Sequence, residues 1–465
     1  MSILSVSEAN FSFELDVVVI GAGACGLCAG LAAHESGAEV LILERDASAL
    51  GTTAMSTGLI PGAGTSAQRA ASITDSAVQF AQDICAKTNN RTDEKLALAL
   101  AQESANTIEW LINTYGVPLT LVDTFLYPGH TIMRMHGTPN RSGAELMGSL
   151  SNAIEREEVS ILTNATVTNL FADNSGRVHG VRFQRPDESI EDVGCRAIIL
   201  ACCGFAGNPK MLSQYIPEIE NGEFFGHPGN KGDAVLWGDS LGAAVADMSA
   251  YQGHAGLAKG FGIPILWPCI VEGGIQVNQE GKRFSNEARG YSEQAVDVLN
   301  QEGGVAWTFY DEKRHNLMLE FDDYREAIAA GAIRSGDSLQ EICEQTKLPL
   351  DKLTQTLSQI AALAHSDDID EFGRSFNGKQ PLCAPFYAVK VTGAIFHTQG
   401  GLRVDEHARV LREDGSALPN LYAGGGAARG ISGPDASGYL AGNGLLTATT
   451  FGRLAGLAAV ADIDK

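Results

Sequence analysis

Residues 15–44 restrict the fold more than any other stretch. "LDVVVI" (15–20) is a short, apolar, β-branched run suited to a strand buried on both faces. "GAGACG" follows at once and places Gly21, Gly23 and Gly26 in GxGxxG spacing; an Ala-rich helical stretch then runs to about Ser36, and "EVLILE" ends on Glu44. Strand, glycine turn, helix, strand and acid, in that order, make the opening unit of a parallel α/β sheet that binds a dinucleotide. The glycines allow a tight turn and let backbone N–H groups reach a pyrophosphate at the helix amino terminus. Glu44 can accept hydrogen bonds from both ribose hydroxyls, which disfavours a 2′-phosphate. The turn also contains Cys25-Gly-Leu-Cys28, formally a CxxC pair. No His follows it, so c-type haem attachment is excluded, and the glycine context makes the two thiols small buried residues of turn and helix.

Only one such fingerprint occurs, whereas an enzyme holding two nucleotides needs two. A second loop rich in glycine and hydroxyls, "ALGTTAMSTGLIPGAG" (49–64), follows directly and has the length to wrap the phosphates, ribityl chain and ring of FAD. The rest of the chain must supply the substrate site. At 465 residues it exceeds the size at which one hydrophobic core stops growing, which predicts two domains, or three. Apolar residues at 44% and charged residues at 19% fit a soluble globular protein, and a net charge of −23 opposes binding to nucleic acid or an anionic membrane surface. The first Lys or Arg is Arg45, so no basic leader region is visible, and apolar runs such as Val17–Ile20 and 197–203 are too short to span a bilayer. Nine cysteines without framework spacing predict reduced thiols, a cytoplasmic location, and no metal or Fe–S site.

Farther along, 93–114 has helical periodicity, and "VSILTNATVTNLFADNSGRVHGVRF" (159–183) reads as short strands joined by an Asn-Ser-Gly turn. "CRAIILACCGFAGN" (195–208) is another buried strand running into glycines, and a helix is predicted from near Asp233. Ser338 and Glu341 have capping-box spacing, 350–364 reads as a helix, and "HSDDIDE" (365–371) as a solvated acidic loop. Late in the chain, "LPNLYAGGGAARGISG" and "GYLAGNGLLTATTFGRLAG" return to strand, glycine loop and helix. A cofactor fold that both opens and closes the chain predicts an insertion between.

These ordered motifs, together with "GNKGDA", "VNQEGKRFSNE", "PFYAVKV" and "HTQGGLRVD", resemble the flavoproteins that include soluble fumarate reductase, the succinate dehydrogenase flavoprotein subunit and the 3-ketosteroid dehydrogenases. The resemblance implies an α/β, Rossmann-like FAD-binding domain (1–248 and 398–465) interrupted by an α+β capping domain (249–397). It implies hydride exchange between flavin N5 and a substrate carbon. Cofactor contacts are expected at Gly21, Gly23, Ala24, Gly26, Glu44, Arg45, Thr52, Thr53, Ser56, Thr57, Gly58, Val167, Ala201, Gly204, Asp233, Gly424, Asn443, Leu445 and Leu446. Succinate-type members carry a flavin-linking His where this chain has Gly51, so the FAD is expected to be non-covalent.

Residue by residue, the fumarate reductase histidines match His254 in "AYQGHAG" and His397 in "FHTQGG". Its proton-donating Arg falls on Tyr291 of "KRFSNEARGYSEQ", and its carboxylate-clamping Arg falls on Tyr439. Arg289 and Arg429 lie nearby in sequence, so a local shift of the chain would restore a charge. The 3-ketosteroid dehydrogenases carry Tyr at both places. There one removes the proton α to a ketone, while the other and a backbone N–H, here near Gly442 or Asn443, polarise the oxygen. Four catalytic candidates result: Tyr291, Tyr439, His254 and His397. Help for Tyr291 as a base is expected from His254 or Arg289, with Tyr127 a further partner phenol. A packing role for each tyrosine stays open. Three readings follow: α,β-dehydrogenation of a 3-ketosteroid or smaller cyclic ketone, a fumarate- or enoate-type reductase with an altered carboxylate clamp, and a flavin-binding protein without turnover. The electron acceptor would be a quinone, oxygen or a separate carrier.

Overall fold

The computed structural model describes residues 2–463. The strand of the glycine fingerprint, Phe11–Ile20, lies at the centre of a nine-stranded sheet. It pairs in parallel with Val40–Leu43 on one side and Ile190–Leu200 on the other. Val17, Val18 and Val19 are fully buried, as a strand covered on both faces requires. Thr166–Ala172, Val178–Gln184 and Ile190–Leu200 form an antiparallel meander, with the turn at Asp173–Gly176. From the far end of the chain, Ala417–Ala423 pairs in parallel with Ile190–Leu200, so the last part of the sequence closes the sheet that the first part opens.

The helix Ala24–Glu35 packs against the C-terminal helix Asn443–Ile463. Two glycines let their backbones approach. A Cβ on Gly452 would lie 2.3 Å from the Cys25 carbonyl oxygen, and one on Gly456 would lie 2.4 Å from that of Ala29. The C-terminal helix is long and apolar enough to cross a membrane, with a mean hydropathy of 1.3 over its most apolar window. The expectation that every apolar run is too short therefore fails here, because Gly, Ala and Thr between the large residues hide the run. Two-thirds of that window is buried against the protein itself.

The second sheet has six strands, built around the long strand Phe386–Thr398, which pairs with Tyr251–Ala258, Val305–Asp311, Ile333–Gly336 and Glu223–Phe224. Helices Asp322–Ala329, Leu339–Thr346 and Leu350–Leu363 accompany it. Ser338 caps its helix through Glu341 N–H, but the Glu341 carboxylate turns to Asp337 N–H rather than completing a capping box. The acidic loop 365–371 is more than a solvated segment: Asp370 pairs with Arg283 and accepts the backbone N–H groups of Phe372 and Arg374. That pairing ties the loop to the turn that carries Tyr291.

Candidate active site

Two clefts meet between the sheets. One runs along the ends of the fingerprint strands and is walled by Gly21, Gly23, Ala24, Glu44, Arg45, Thr52, Thr53, Val167, Ala201 and Asp233. Gly23 sits at the start of its helix with no side-chain cap, and a Cβ there would meet only Thr53 Oγ1, at 3.8 Å. Ala24 N–H donates to Thr53 Oγ1 at 3.3 Å, and open space faces this helix amino terminus, as a pyrophosphate requires. The Glu44 carboxylate is 7% exposed; Oε2 accepts Ala22 N–H at 2.8 Å and Oε1 accepts Asp46 N–H at 3.0 Å. Each oxygen keeps a lone pair for a vicinal diol. These residues fit the adenosine half of FAD.

The other expected contacts lie behind or beside this wall. Gly26 is packed onto the turn, where a Cβ would sit 1.8 Å from Gly21 O. Gly58 backs onto Ser142, Gly204 onto Thr398, and Gly424 onto Cys25. Ser56, Thr57 and Leu445 line the second cleft rather than the first. Leu446 is fully buried, and Asn443 is fully buried with its amide donating to Ser432 and its Oδ1 without a partner. Asp233 occupies the first helical position after Gly232, which takes the cap at φ +84°; burial raises the Asp233 carboxyl above its ordinary range. Cys25 and Cys28 are buried in the fingerprint helix, and burial pushes the Cys28 thiol up to about 12. All nine cysteines are free thiols.

The second cleft joins the first through Thr52, Thr53, Cys203, Gly426 and Ala448, which line both. This junction is where a flavin ring linked to the adenosine half would lie. Cys203 holds a left-handed backbone conformation, φ +64°, between the two clefts. Sequence reasoning passed over it, although a cysteine before Gly204 in a glycine turn is a local signal.

Tyr291, Tyr439, His254 and His397 converge on the second cleft. Tyr291 stands on a turn fixed by Glu287, whose buried carboxylate meets Arg283 at 2.6 Å and Arg374 at 3.0 Å and accepts Gln276 N–H. Burial opposes that charge, yet Arg374 and Arg283 hold the Glu287 carboxyl below its ordinary range. Lys87 braces the far side of the turn through Glu293, at 2.7 Å, and through Arg289 O. The rings of Tyr291 and Tyr439 meet edge to face, 6.1 Å between centroids. His254 lies 5.1 Å from Tyr291 and stacks on Phe396 at 4.9 Å, while His397 lies 5.7 Å from Tyr439.

Hydrogen bonds define the roles open to each group. His254 Nδ1 accepts Gly256 N–H at 3.0 Å, which leaves the ring proton on Nε2. Burial lowers the pKa of His254 to about 3 and of His397 to about 4, so both imidazoles are neutral at pH 7. The Tyr439 oxygen accepts Gly444 N–H at 3.3 Å, leaving its own O–H to donate elsewhere. Asn443 N–H, an expected oxygen-polarising donor, is spent on Leu440 O. Gly444 was missed, although it completes the Gly-Asn-Gly of 442–444; a Cβ there would meet His397 at 2.8 Å.

Burial, then the neighbouring phenols of Tyr439 and Tyr127 and the Glu293 carboxylate, raise the Tyr291 phenol well above its ordinary range. The cationic help expected from Arg289 is absent, because that side chain is on the surface paired with Asp297 at 3.1 Å. His254 is neutral. Arg429 is held by Asp247 and Asp93. Neither arginine reaches the cleft, whose lining contains, among the described residues, no Arg or Lys and one charged residue, Asp323.

The sequence matches the FAD binding domain family model over residues 16–445. The cytochrome-type fumarate reductase of Shewanella frigidimarina is 28% identical over 444 residues, spanning 95% of this chain and 76% of that protein. The 3-oxosteroid 1-dehydrogenase of Mycobacterium tuberculosis is 31% identical over 362 residues, 68% of this chain and 62% of that one. The open conformation of a flavocytochrome c3 fumarate reductase superposes with a TM-score of 0.81 at 26% identity, covering 99% of this chain and 80% of that one. The glycine cradle, the acid beyond it and the match across nearly the whole sequence lead to one conclusion: the chain belongs to the FAD-binding-domain family of flavoproteins and is an FAD-dependent oxidoreductase.

Proposed function

We propose that this flavoprotein exchanges hydrogen across the Cα–Cβ bond of a neutral ketone, a 3-ketosteroid or a smaller cyclic ketone. The observation that carries the proposal is the make-up of the substrate cleft: two phenols, two neutral imidazoles and no guanidinium or ammonium. A dicarboxylate is gripped by the permanently charged, bidentate fork of Arg, whereas a phenol offers one neutral donor, which suits a carbonyl oxygen. Two named relatives act on fumarate and on 3-oxosteroids. The neutral wall favours the second kind of substrate.

FAD, when bound, supplies or takes the hydride at Cβ. Tyr439 donates its O–H to the carbonyl oxygen while its own oxygen is oriented by Gly444 N–H. A donor placed where negative charge develops lowers the barrier by about 3 kcal/mol. Tyr291 carries the proton at Cα. Its raised pKa keeps it protonated at neutral pH, so in that state it is an acid, poised to protonate Cα as an enone is reduced. In the desaturating direction the phenol must first lose that proton, and the rate of ketone oxidation then rises with pH. Phe396 stacks on His254, and His254 in turn meets the Tyr291 ring at a 34° tilt.

Gly51 in the second loop offers no side chain for attachment, so the cofactor is held without a covalent bond and is released by acid precipitation. Electrons reach or leave the flavin through a quinone, oxygen or a carrier, and nine cysteines without framework spacing support a reducing compartment such as the cytoplasm. The test of the proposal is anaerobic. Addition of a saturated cyclic ketone to the yellow holoenzyme is expected to bleach the flavin, faster at pH 9 than at pH 7. No bleaching across a broad ketone panel at either pH overturns it.

A further inference from the structure

We propose that Asp323 is the distal recognition group of the substrate cleft, accepting a hydrogen bond from a hydroxyl at the end of the substrate remote from its carbonyl. The inference rests on the ketone reading above and narrows it to multi-ring ketones with a distal donor. Asp323 is the one charged residue in the lining, on the helix Asp322–Ala329, in a different part of the chain from the groups placed around the carbonyl. Among the described residues its carboxylate has no hydrogen-bond or ion-pair partner. Its neighbour Asp322 is taken up by Arg325.

The side chain is half-buried. Desolvation, then Glu326 and Asp322, push its carboxyl up to about 7. A carboxyl kept partly out of water without a partner costs free energy unless something arrives to satisfy it. Capping the helix does not explain it, because the cap position is Phe321, and no side chain, Asp323 included, makes a cap hydrogen bond there.

The surroundings locate this end of the cleft. Phe321 precedes the helix and its ring lies 6.1 Å from Phe125, which in turn lies 4.8 Å from Tyr127. Tyr127, Pro264 and Leu266 line the same cleft as Asp323, so the acid shares its walls with apolar side chains. A ligand with an apolar body, a carbonyl at one end and a donor at the other matches that order of groups. The same carboxylate repels an anionic tail, which a dicarboxylate would present.

The experiment uses the FAD-loaded full chain and a matched pair of bicyclic enones, one with a hydroxyl on the second ring and one without. Dissociation constants come from calorimetry, and KM from turnover of chemically reduced enzyme. The wild type is expected to bind the hydroxylated compound about tenfold more tightly. Asp323→Asn and Asp323→Ala should each reduce that preference, Asp323→Ala to none, while the hydroxyl-free enone keeps its affinity and its kcat. Asp322→Asn, one residue away on the same turn, should leave the preference intact. An unchanged preference in Asp323→Ala, or none in the wild type, overturns the inference. The two failures separate cleanly. Turnover of both enones without an Asp323-dependent preference sinks the recognition role and leaves the ketone chemistry standing. An Asp323-dependent preference in binding, with neither enone turned over, does the reverse.

Discussion

The cofactor cleft and the substrate cleft share a wall but are built on opposite principles. The phosphate end of the cofactor cleft is mostly backbone, a glycine turn and a helix end from a short stretch near the start of the chain with the Glu44 carboxylate beside them, and segments near residues 166, 202, 230 and 426 complete its walls. The substrate cleft is mostly side chain, drawn from segments near residues 55, 127, 254, 265, 291, 323, 397 and 439. Backbone geometry tolerates few replacements, so the first cleft keeps one ligand. Side chains at fixed positions can be exchanged singly, so the second can change substrate class while the scaffold stays the same.

The largest effect that would break this contrast is at Gly21. Its φ of +102° and the Ala201 carbonyl oxygen, 2.6 Å from a Cβ placed there, leave no room for Ala. Gly21→Ala is expected to yield protein without flavin, read as loss of the yellow absorbance after gel filtration; full FAD content would contradict the backbone account. Tyr291→Phe should do the opposite, keeping FAD at wild-type stoichiometry while turnover falls by about 10²–10⁴-fold. A near-normal rate would remove Tyr291 from the chemistry. Tyr439→Phe should cost less, about 10²-fold in kcat, with a small change in KM. A rise in KM alone would make it a binding residue.

These three variants also mark how far the sequence could be read. The fingerprint through Glu44 was legible because each glycine and the acid serve a local geometric need, written in consecutive residues. Tyr291 and Tyr439 were located by position within longer motifs, yet their rings meet only because the turn at 286–291 and the loop that follows Ala436–Gly438 are brought together in space. Nothing near Asp323 in sequence signals a cleft, and Gly444 N–H is distinguished from Asn443 N–H only by which one the last turn consumes. The Glu287 anchor shows the same limit, since its partners Arg283 and Arg374 lie ninety-one residues apart, 374 − 283. The C-terminal helix was underread because glycines that permit close helix packing also break up its apolar run.

A separate effect is on stability and distinguishes buried histidines from surface ones. Burial lowers His130, His136 and His397 to about 4 and His254 to about 3, against an unfolded value near 6.5. Below that value the unfolded chain takes up protons that the folded chain refuses. Stability is therefore full above about pH 6.5 and falls as pH drops toward 4, by about 1 kcal/mol per pH unit for each histidine. Thermal melts of the holoenzyme should show Tm dropping steadily from pH 7 to pH 5. A flat Tm across that interval would mean these imidazoles are not desolvated.

The claim beneath all of this is that a cleft without guanidinium selects neutral carbonyl compounds over carboxylates. It is tested most directly by mixing chemically reduced holoenzyme, without oxygen, with either fumarate or a cyclic enone such as cyclohexenone and following the return of oxidised flavin absorbance. The account predicts rapid reoxidation by the enone and none by fumarate beyond the buffer control. Reoxidation by fumarate at a rate matching or exceeding that of the enone would contradict it.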